Sequence, residues 1–380
     1  MLTRTLSRDQ RSMTCDTPRD PQSDPVSCTT PSHPAPRWRS SKKSTESPTA
    51  PALTTSKPFT EDVPAAGPHE ILLEIKAVSL NYRDLAVANG QYPFPVKKNV
   101  VPVSDCAAVV SAIGANVTNF AVGDTVLVTF DGTNLYGQQK DWNGGHGGPV
   151  DGFLRQYAAV NESYAVKVPP TNLSYPELAS LVCTGVTAWN ALYGVAPTKP
   201  GDVILVQGTG GVSMTALLLA KAAGCTVIVT SSSDEKLQKA REMYGADYTI
   251  NYKNAPAWGK EAVKLNNGVG LDLVVENGGS GTIAESFEAI KMGGKITVIG
   301  FLAAADQKDM PDVATLALGK GAVVPGITVG PKSMLEDLVQ FVASRKLAPP
   351  IDKVFKFDDA LEAYKYMGEA GHIGKVCIEV

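Results

Sequence analysis

The chain is predicted to be an α/β protein in which a doubly wound parallel sheet is inserted into a β-rich unit. Three observations predict this. Six short apolar strands alternate with helical segments between residues 203 and 327, the first of them runs straight into a glycine turn, and an all-β texture precedes this region while one further strand closes the chain.

The glycine turn is the stretch Val203-Ile204-Leu205-Val206-Gln207-Gly208-Thr209-Gly210-Gly211-Val212-Ser213, followed by an alanine- and leucine-rich segment of helical spacing from Val212 to Ala223. Gly208 allows the turn, and Gly210 lets the backbone approach a pyrophosphate closely. The helix N-terminus offers the anion unpaired N–H groups and a partial positive charge, so Gly208, Gly210, Gly211 and Val212 are candidate cofactor residues. Ser213 stands where such turns usually carry Gly or Ala, and glycines also mark ordinary strand-to-helix turns. The motif therefore depends on its context.

Residues 1–57 are Ser-, Thr- and Pro-rich, lack a periodic apolar face, and are expected to remain disordered and dispensable for the fold. Arg4, Arg8 and Arg11 suit a mitochondrial presequence, but Asp9, Asp16, Asp20 and Asp24 do not, which favours the cytoplasm. In residues 58–185, strands are expected at Glu70–Val78, Pro102–Ile113, Thr125–Thr129 and Tyr157–Val168. A glycine-rich loop covers 131–150, and a helix spans Tyr175–Tyr193 with Pro176 near its start and Gly194 past its end. In residues 186–328 the strands are Val203–Val206, Thr226–Thr230, Tyr248–Ile250, Leu271–Glu276, Lys295–Gly300 and Ala322–Ile327. Helices lie around Asp234–Tyr244, Ala257–Leu265, Ile283–Ile290 and Asp312–Leu318. Residues 329–380 carry an amphipathic helix (Met334, Leu335, Leu338, Phe341, Val342), a second near Leu361–Met367, and a strand Val376–Val380 expected to fold back onto the β-rich part.

Composition narrows the function. With 35 basic and 38 acidic residues the net charge is -3, which argues against nucleic-acid or membrane-surface binding by bulk charge and leaves a small molecule as the natural partner. No run of 18 apolar residues exists to span a bilayer, and the six cysteines form no C-x-x-C pair, in keeping with a reducing compartment.

Six blocks carry a family resemblance: Asn81-Tyr82-Arg83-Asp84, Gly123-Asp124-Thr125-Val126, Cys183-Thr184-Gly185-Val186-Thr187-Ala188, Gly208-Thr209-Gly210-Gly211-Val212, Glu276-Asn277-Gly278-Gly279 and Ile299-Gly300-Phe301-Leu302. In that order they resemble the medium-chain dehydrogenase/reductases, in the zinc-independent branch of alcohol-dehydrogenase-like proteins and quinone oxidoreductases. The resemblance implies a GroES-like catalytic domain (58–185 and 329–380), a Rossmann domain (186–328), and a homodimer paired through the Ala322–Ile327 edge. Zinc-dependent members bind their catalytic metal through a Cys, a His-Glu pair and a later Cys. Here Asn81, Ser104-Asp105 and Cys183 stand at those positions, and the 131–150 loop has none of the cysteines of a structural zinc lobe. Asp105, Cys106 and Cys183 are the residual metal candidates, but no histidine lies near them in sequence; Cys183 reads equally as a small buried apolar residue, and no metal is expected.

Without a Lewis acid, the substrate oxygen must be held by hydrogen-bond donors, which suits reduction of a quinone, enone or reactive aldehyde. The resemblance puts Asn81, Tyr82 and Tyr92 at the cleft mouth as candidate catalytic residues; the alternative is that Asn81 ends a strand and the tyrosines pack. Where an NAD-preferring fold carries an acidic residue, the sequence reads Thr230-Ser231-Ser232-Ser233-Asp234-Glu235-Lys236. By resemblance Ser231, Ser232, Lys236 and Tyr252 hold the 2′-phosphate of NADPH. The alternatives are a Ser232–Glu235 capping box, a solvated Lys236, and an Asp234 that bonds the ribose. Thr187, Asn277, Phe301 and Leu302 are carried over as neighbours of the nicotinamide, although the glycines after Asn277 also suit a plain turn. The expected protein is an NADPH-dependent, zinc-independent oxidoreductase; the alternatives are an alcohol dehydrogenase working in the oxidative direction and a non-catalytic NADPH-binding sensor.

Overall fold

The computed structural model describes residues 35–39, 57–303 and 305–380. Strands β1 (Ala35–Arg39) and β2 (Lys57–Glu61) pair antiparallel. Residues 35–39 belong to the segment expected to be disordered, and they find backbone partners in β2. The rest of that segment, with its arginines, lies outside the described residues.

Next come β3 (Glu70–Ser79), α1 (Tyr82–Ala88), β4 (Asp105–Ile113), β5 (Thr125–Val128), β6 (Tyr157–Asn161) and β7 (Ala165–Lys167). β3 pairs antiparallel with β4 and β6, β4 with β5, and β5 with β7. The single strand expected over 157–168 is two. Asn161 Oδ1 accepts from the Ser163 N–H at 2.9 Å and closes a tight turn, which sends β7 to a different neighbour.

The helix expected over 175–193 is likewise broken, into α2 (Tyr175–Ala179) and α3 (Val186–Tyr193), with a π turn at Leu181–Gly185 between them. The Cys183 N–H leaves the helical ladder for Asp105 Oδ2 at 3.2 Å, and the Gly185 N–H reaches back five residues to the Ser180 carbonyl at 3.3 Å. A tertiary contact to a buried carboxylate has overridden local helical spacing.

The parallel sheet uses β8 (Val203–Gln207), α4 (Gly211–Ala222), β9 (Thr226–Ser231), α5 (Asp234–Glu242), β10 (Tyr248–Asn251), α6 (Trp258–Leu265), β11 (Leu271–Glu276), α7 (Ile283–Ala289) and β12 (Ile290–Val298). Its order is β10-β9-β8-β11-β12, so the sheet direction reverses between β8 and β11. Ile204, Leu205, Val206, Val227, Ile228, Val229, Val274 and Val275 are all buried, as a sheet covered on both faces requires. A sixth regular strand at Ala322–Ile327 does not form. Val323 and Ile327 donate to the Gly294 and Val298 carbonyls at 3.0 and 3.1 Å, but Pro325 between them has no N–H, and the ladder reduces to two isolated bridges.

The chain ends with α8 (Val313–Lys320), α9 (Lys332–Arg345), β13 (Ile351–Lys356), α10 (Ala360–Gly368) and β14 (Lys375–Glu379). β14 pairs antiparallel with β3 and parallel with β13, a strand the sequence pattern did not reveal. The Rossmann sheet is thus an insertion within a GroES-like sheet of order β13-β14-β3-β4-β5-β7.

Candidate active site

The turn after β8 has the geometry its glycines suggest. Gly208 has φ +76°, a left-handed conformation that strains any residue with a Cβ, and a Cβ on Gly210 would meet nothing within 4 Å. α4 starts here with no side-chain cap, so the N–H groups of Val212 and Ser213 in its first turn remain for an anion, beside the bridge from Gly210 to Gly374. Ser213, the departure from the usual motif, is buried. Its Oγ donates to the Gln207 carbonyl at 2.6 Å and accepts from Asn277 Nδ2 at 2.9 Å, tying the turn to the loop after β11.

That loop is anchored by Glu276, which is 0% exposed and which the sequence places in a family block without revealing its role. Glu276 Oε1 accepts from the Gly278 and Gly279 N–H groups at 2.8 and 2.9 Å and from Thr282 Oγ1 at 2.5 Å. Oε2 accepts from Gln207 Nε2 at 2.7 Å and from Ser286 Oγ. Gln207 Oε1 in turn accepts from the N–H groups of Asn277 and Gly278 at 2.9 and 3.1 Å. The Asn277 amide thus serves the framework of the cleft as well as bordering it. Thr187 is buried near the start of α3, whereas Phe301 and Leu302 are 59% and 61% exposed.

At the end of β9 the N-cap of α5 is Ser233, whose Oγ accepts from the Lys236 N–H at 3.4 Å. The Ser232–Glu235 capping box does not form; Glu235 instead pairs with Lys239 at 2.8 Å. Ser231 Oγ accepts from the Ser233 N–H at 3.3 Å, and the Ser231 carbonyl accepts from the Tyr252 N–H at 3.1 Å, leaving the Tyr252 side chain exposed. Asp234 Oδ1 is taken by Asn251 Nδ2 at 2.7 Å. The Lys236 ammonium donates to the carbonyls of Ala370 and His372 at 2.7 and 3.3 Å, so it links this end of the sheet to the C-terminal segment.

At the other end of the cleft, Asn81 is the N-cap residue of α1, and Asp84 Oδ2 accepts from its backbone N–H at 2.8 Å. The Asn81 amide is fully occupied. Its Nδ2 donates to Asp105 Oδ2 at 3.0 Å and, at 3.5 Å, to Ser104 Oγ, while its Oδ1 accepts from Thr184 Oγ1 at 3.1 Å and from Lys375 Nζ at 2.6 Å. The expected donation from Asn81 to a substrate is therefore not what its contacts do. Ser104 Oγ donates to Asp105 Oδ1 at 2.6 Å, and the Cys183 N–H donates to Oδ2 of the same carboxylate. Burial pushes the Asp105 carboxyl above its ordinary range, against the Lys375 charge and the hydrogen bonds from Asn81 and Ser104. Lys375 went unnoticed in the sequence; the only signal was a lysine just before an apolar C-terminal strand.

Asp105, Cys106 and Cys183 do not converge. Asp105 and Cys106 are successive residues of β4 and point to opposite faces, Cys106 into the apolar cluster with Val78 and Ile378. Among the described residues no three His, Cys, Asp or Glu side chains gather as a metal site. Burial raises the Cys183 thiol well above its ordinary range.

Beside this cluster lies Arg83. Its guanidinium sits 5.2 Å from the Tyr92 ring and 4.8 Å from the Phe130 ring and donates to the His146 carbonyl at 2.7 Å. Tyr92 is half-buried and edge-on to Phe94, which stacks on Trp142 at 3.7 Å, so the three rings form one aromatic group beside Arg83. Tyr82 is 57% exposed and stands outside the polar cluster.

The fold, a parallel dinucleotide-type sheet inserted within an antiparallel sheet, is shared with known dehydrogenases. A family model for the alcohol dehydrogenase GroES-like domain matches residues 67–170, and one for zinc-binding dehydrogenases matches residues 211–344. A zinc-type alcohol dehydrogenase-like protein of Schizosaccharomyces pombe is 42% identical over 330 residues, covering 85% of this chain and 95% of its own length. The solved structure of a protein assigned as an alcohol dehydrogenase from Sinorhizobium meliloti 1021 superposes with a TM-score of 0.83 at 36% identity, covering 92% of this chain and 99% of that one. An NAD-dependent alcohol dehydrogenase follows with a TM-score of 0.79 at 27% identity, covering 91% of this chain and 99% of its own. The chain belongs to the medium-chain dehydrogenase/reductase superfamily. It is an oxidoreductase of the alcohol dehydrogenase kind, and dehydrogenases of this family use nicotinamide cofactors.

Proposed function

We propose that this chain is an NADPH-dependent, zinc-independent reductase of a carbonyl, enone or quinone. The observation that carries the reading is the closed polar cluster of Asn81, Ser104, Asp105, Thr184 and Lys375, which uses every amide hydrogen and the carboxylate at the positions where zinc-dependent relatives place their metal ligands. The family model named for zinc binding matches residues 211–344 and so does not include Asn81, Asp105 or Cys183.

The open edge beside Gly210, the left-handed Gly208 and the uncapped start of α4 fit a dinucleotide pyrophosphate. Preference for NADPH is supported at the ribose end, where Ser231, Ser232, Lys236 and Tyr252 stand together and Asp234 Oδ1 accepts from Asn251; to reach a 2′-phosphate the Lys236 ammonium would exchange its bonds to the Ala370 and His372 carbonyls. A bound nicotinamide cofactor supplies a hydride, and the substrate takes up that hydride and one proton. The chain's own part is to orient the substrate oxygen and exclude water. With the Asn81 amide occupied, the Tyr92 phenol beside Arg83 would be the donor to the substrate oxygen, and the neighbouring Phe94–Trp142 stack would help to exclude water.

The same reading extends to a catalytic unit of residues 58–185 and 329–380 around a cofactor unit of 186–328, and to a cytoplasmic setting, in keeping with the free thiols of Cys106, Cys183, Cys225 and Cys377. A homodimer is supported by the apolar face of α8 and its surroundings: Leu318 is 84% exposed, with Met310, Val313 and Val323 also exposed beside the irregular edge at 322–327. None of the helices among the described residues is long and apolar enough to cross a membrane.

The test is an NADPH-oxidation screen over quinones, enones and aldehydes, with the metal content of the same preparation measured. Turnover by metal-depleted protein supports the reading. Near-stoichiometric zinc that alone restores activity, or cofactor binding without turnover of any electrophile, overturns it.

A further inference from the structure

Lys375 is the first residue of β14, and it is 3% exposed. Burying an ammonium is costly unless it is paired and hydrogen-bonded. Here it donates to the Leu80 carbonyl and to Asn81 Oδ1, and the same Asn81 amide donates on its other side to Asp105 Oδ2. Because Lys375 and Thr184 both donate to Asn81 Oδ1, the amide can turn only one way, and its Nδ2 must face Asp105. The aliphatic stem of Lys375 lies along Gly211, where a Cβ would fall 2.5 Å from its Cδ. One residue earlier, the Gly374 N–H donates to the Thr209 carbonyl at 2.9 Å, so the strand is fastened to the glycine turn itself.

We propose that Lys375 is a positioning residue for hydride transfer: a fixed internal cation that locks the Asn81 amide, balances the Asp105 carboxylate across it, and ties this cluster to the glycine turn. The proposal rests on the metal-free reductase reading of the same site. Two parts of the residue do separable work. The charge orders Asn81 and Asp105, whereas the stem and the Gly374 backbone hold the turn.

Lys375→Met keeps the stem and removes the charge. Turnover should fall by about a hundredfold, the scale expected when a reacting geometry is displaced by about 1 Å. The NADPH dissociation constant, from fluorescence titration, should stay within about threefold, since the backbone bond to Thr209 survives. Lys375→Arg should recover most of the turnover. The double variant Lys375→Met with Asp105→Asn removes both charges, so its melting temperature should recover relative to either single variant while its turnover remains low. That split separates positioning from charge balance in the fold, and the double variant carries the test if Lys375→Met fails to fold. Wild-type turnover in Lys375→Met, or turnover that returns together with melting temperature in the double variant, overturns the proposal. If wild-type protein itself reduces no electrophile, the functional reading falls. Lys375 is then judged on melting alone, where strictly additive losses in the double variant overturn its pairing with Asp105.

Discussion

Replacing Glu276 by Gln asks whether the loop that borders the cofactor cleft is held by an acceptor-only side chain. The carboxylate takes three donors on Oε1 and two on Oε2, from Gly278, Gly279, Thr282, Gln207 and Ser286. A glutamine that keeps its oxygen toward the glycines turns its NH2 against Gln207 Nε2. Gln207 cannot flip to accept, because its own Oε1 already holds the Asn277 and Gly278 N–H groups. One buried donor is stranded, at about 1–3 kcal/mol, and the three retained bonds lose charge assistance worth about 1 kcal/mol each. Easier desolvation of a neutral amide offsets part of this, leaving a net loss of about 3 kcal/mol. At about 2–4 °C per kcal/mol, the melting temperature should drop by about 6–12 °C. Calorimetry with and without NADPH measures this, and steady-state kinetics should show turnover reduced more than cofactor binding, because the loop carries Asn277 and not the phosphate turn. A melting temperature within about 2 °C of wild type, with unchanged turnover, would refute the account of the network.

Lys236→Ala should weaken NADPH binding by about ten- to a hundredfold, since a hydrogen bond to a charged group is worth roughly 1.5–3 kcal/mol, and should affect NADH much less; titration at fixed ionic strength reads both. Equal losses would mean that Lys236 acts through the Ala370 and His372 carbonyls alone. His146 is buried, and burial lowers its pKa from 6.5 to about 4, so the unfolded chain takes up a proton at higher pH than the folded one. Its stabilising contribution is full above pH 6.5 and is lost as pH falls towards about 4, amounting to about 3 kcal/mol. Burial raises the Asp84 carboxyl to about 6, which acts in the opposite sense, its contribution being present in acid and lost as pH rises through about 6. His146→Gln should therefore be less acid-sensitive than wild type in denaturant titrations at pH 7.5 and 4.5; a pH-independent difference between the two proteins would contradict this. Leu318→Glu should leave the melting curve of the monomer unit intact but shift the protein to half its mass in light scattering if α8 forms the dimer contact, and wild-type protein that is already monomeric would exclude the dimer.

Much of the architecture was legible because it follows from short-range patterns. The run Val203–Val206 into Gly208 needs an apolar buried strand and a left-handed turn whatever surrounds it, and Leu271–Glu276 emerges with the bounds its sequence suggests. The failures share a different cause. Cys183 breaks the helix over 175–193 for a carboxylate 78 positions away in sequence, and the edge strand at 322–327 is undone by one missing N–H at Pro325. β13 went unseen because it is exposed on one face and gains its order from pairing with β14.

At the site the division is the same. Sequence alone determined the family, the glycine turn, and the absence of the usual zinc-ligand residue types at Asn81, Ser104 and Asp105, since each is a matter of residue identity at fixed spacing. Only the tertiary structure decided which way the Asn81 amide turns, that Lys236 reaches the Ala370 carbonyl, and that Lys375 and Glu276 are buried, each inside a polar network. A lysine 294 positions from Asn81 leaves no local periodicity to read, because its role comes from charge and hydrogen bonding across the fold.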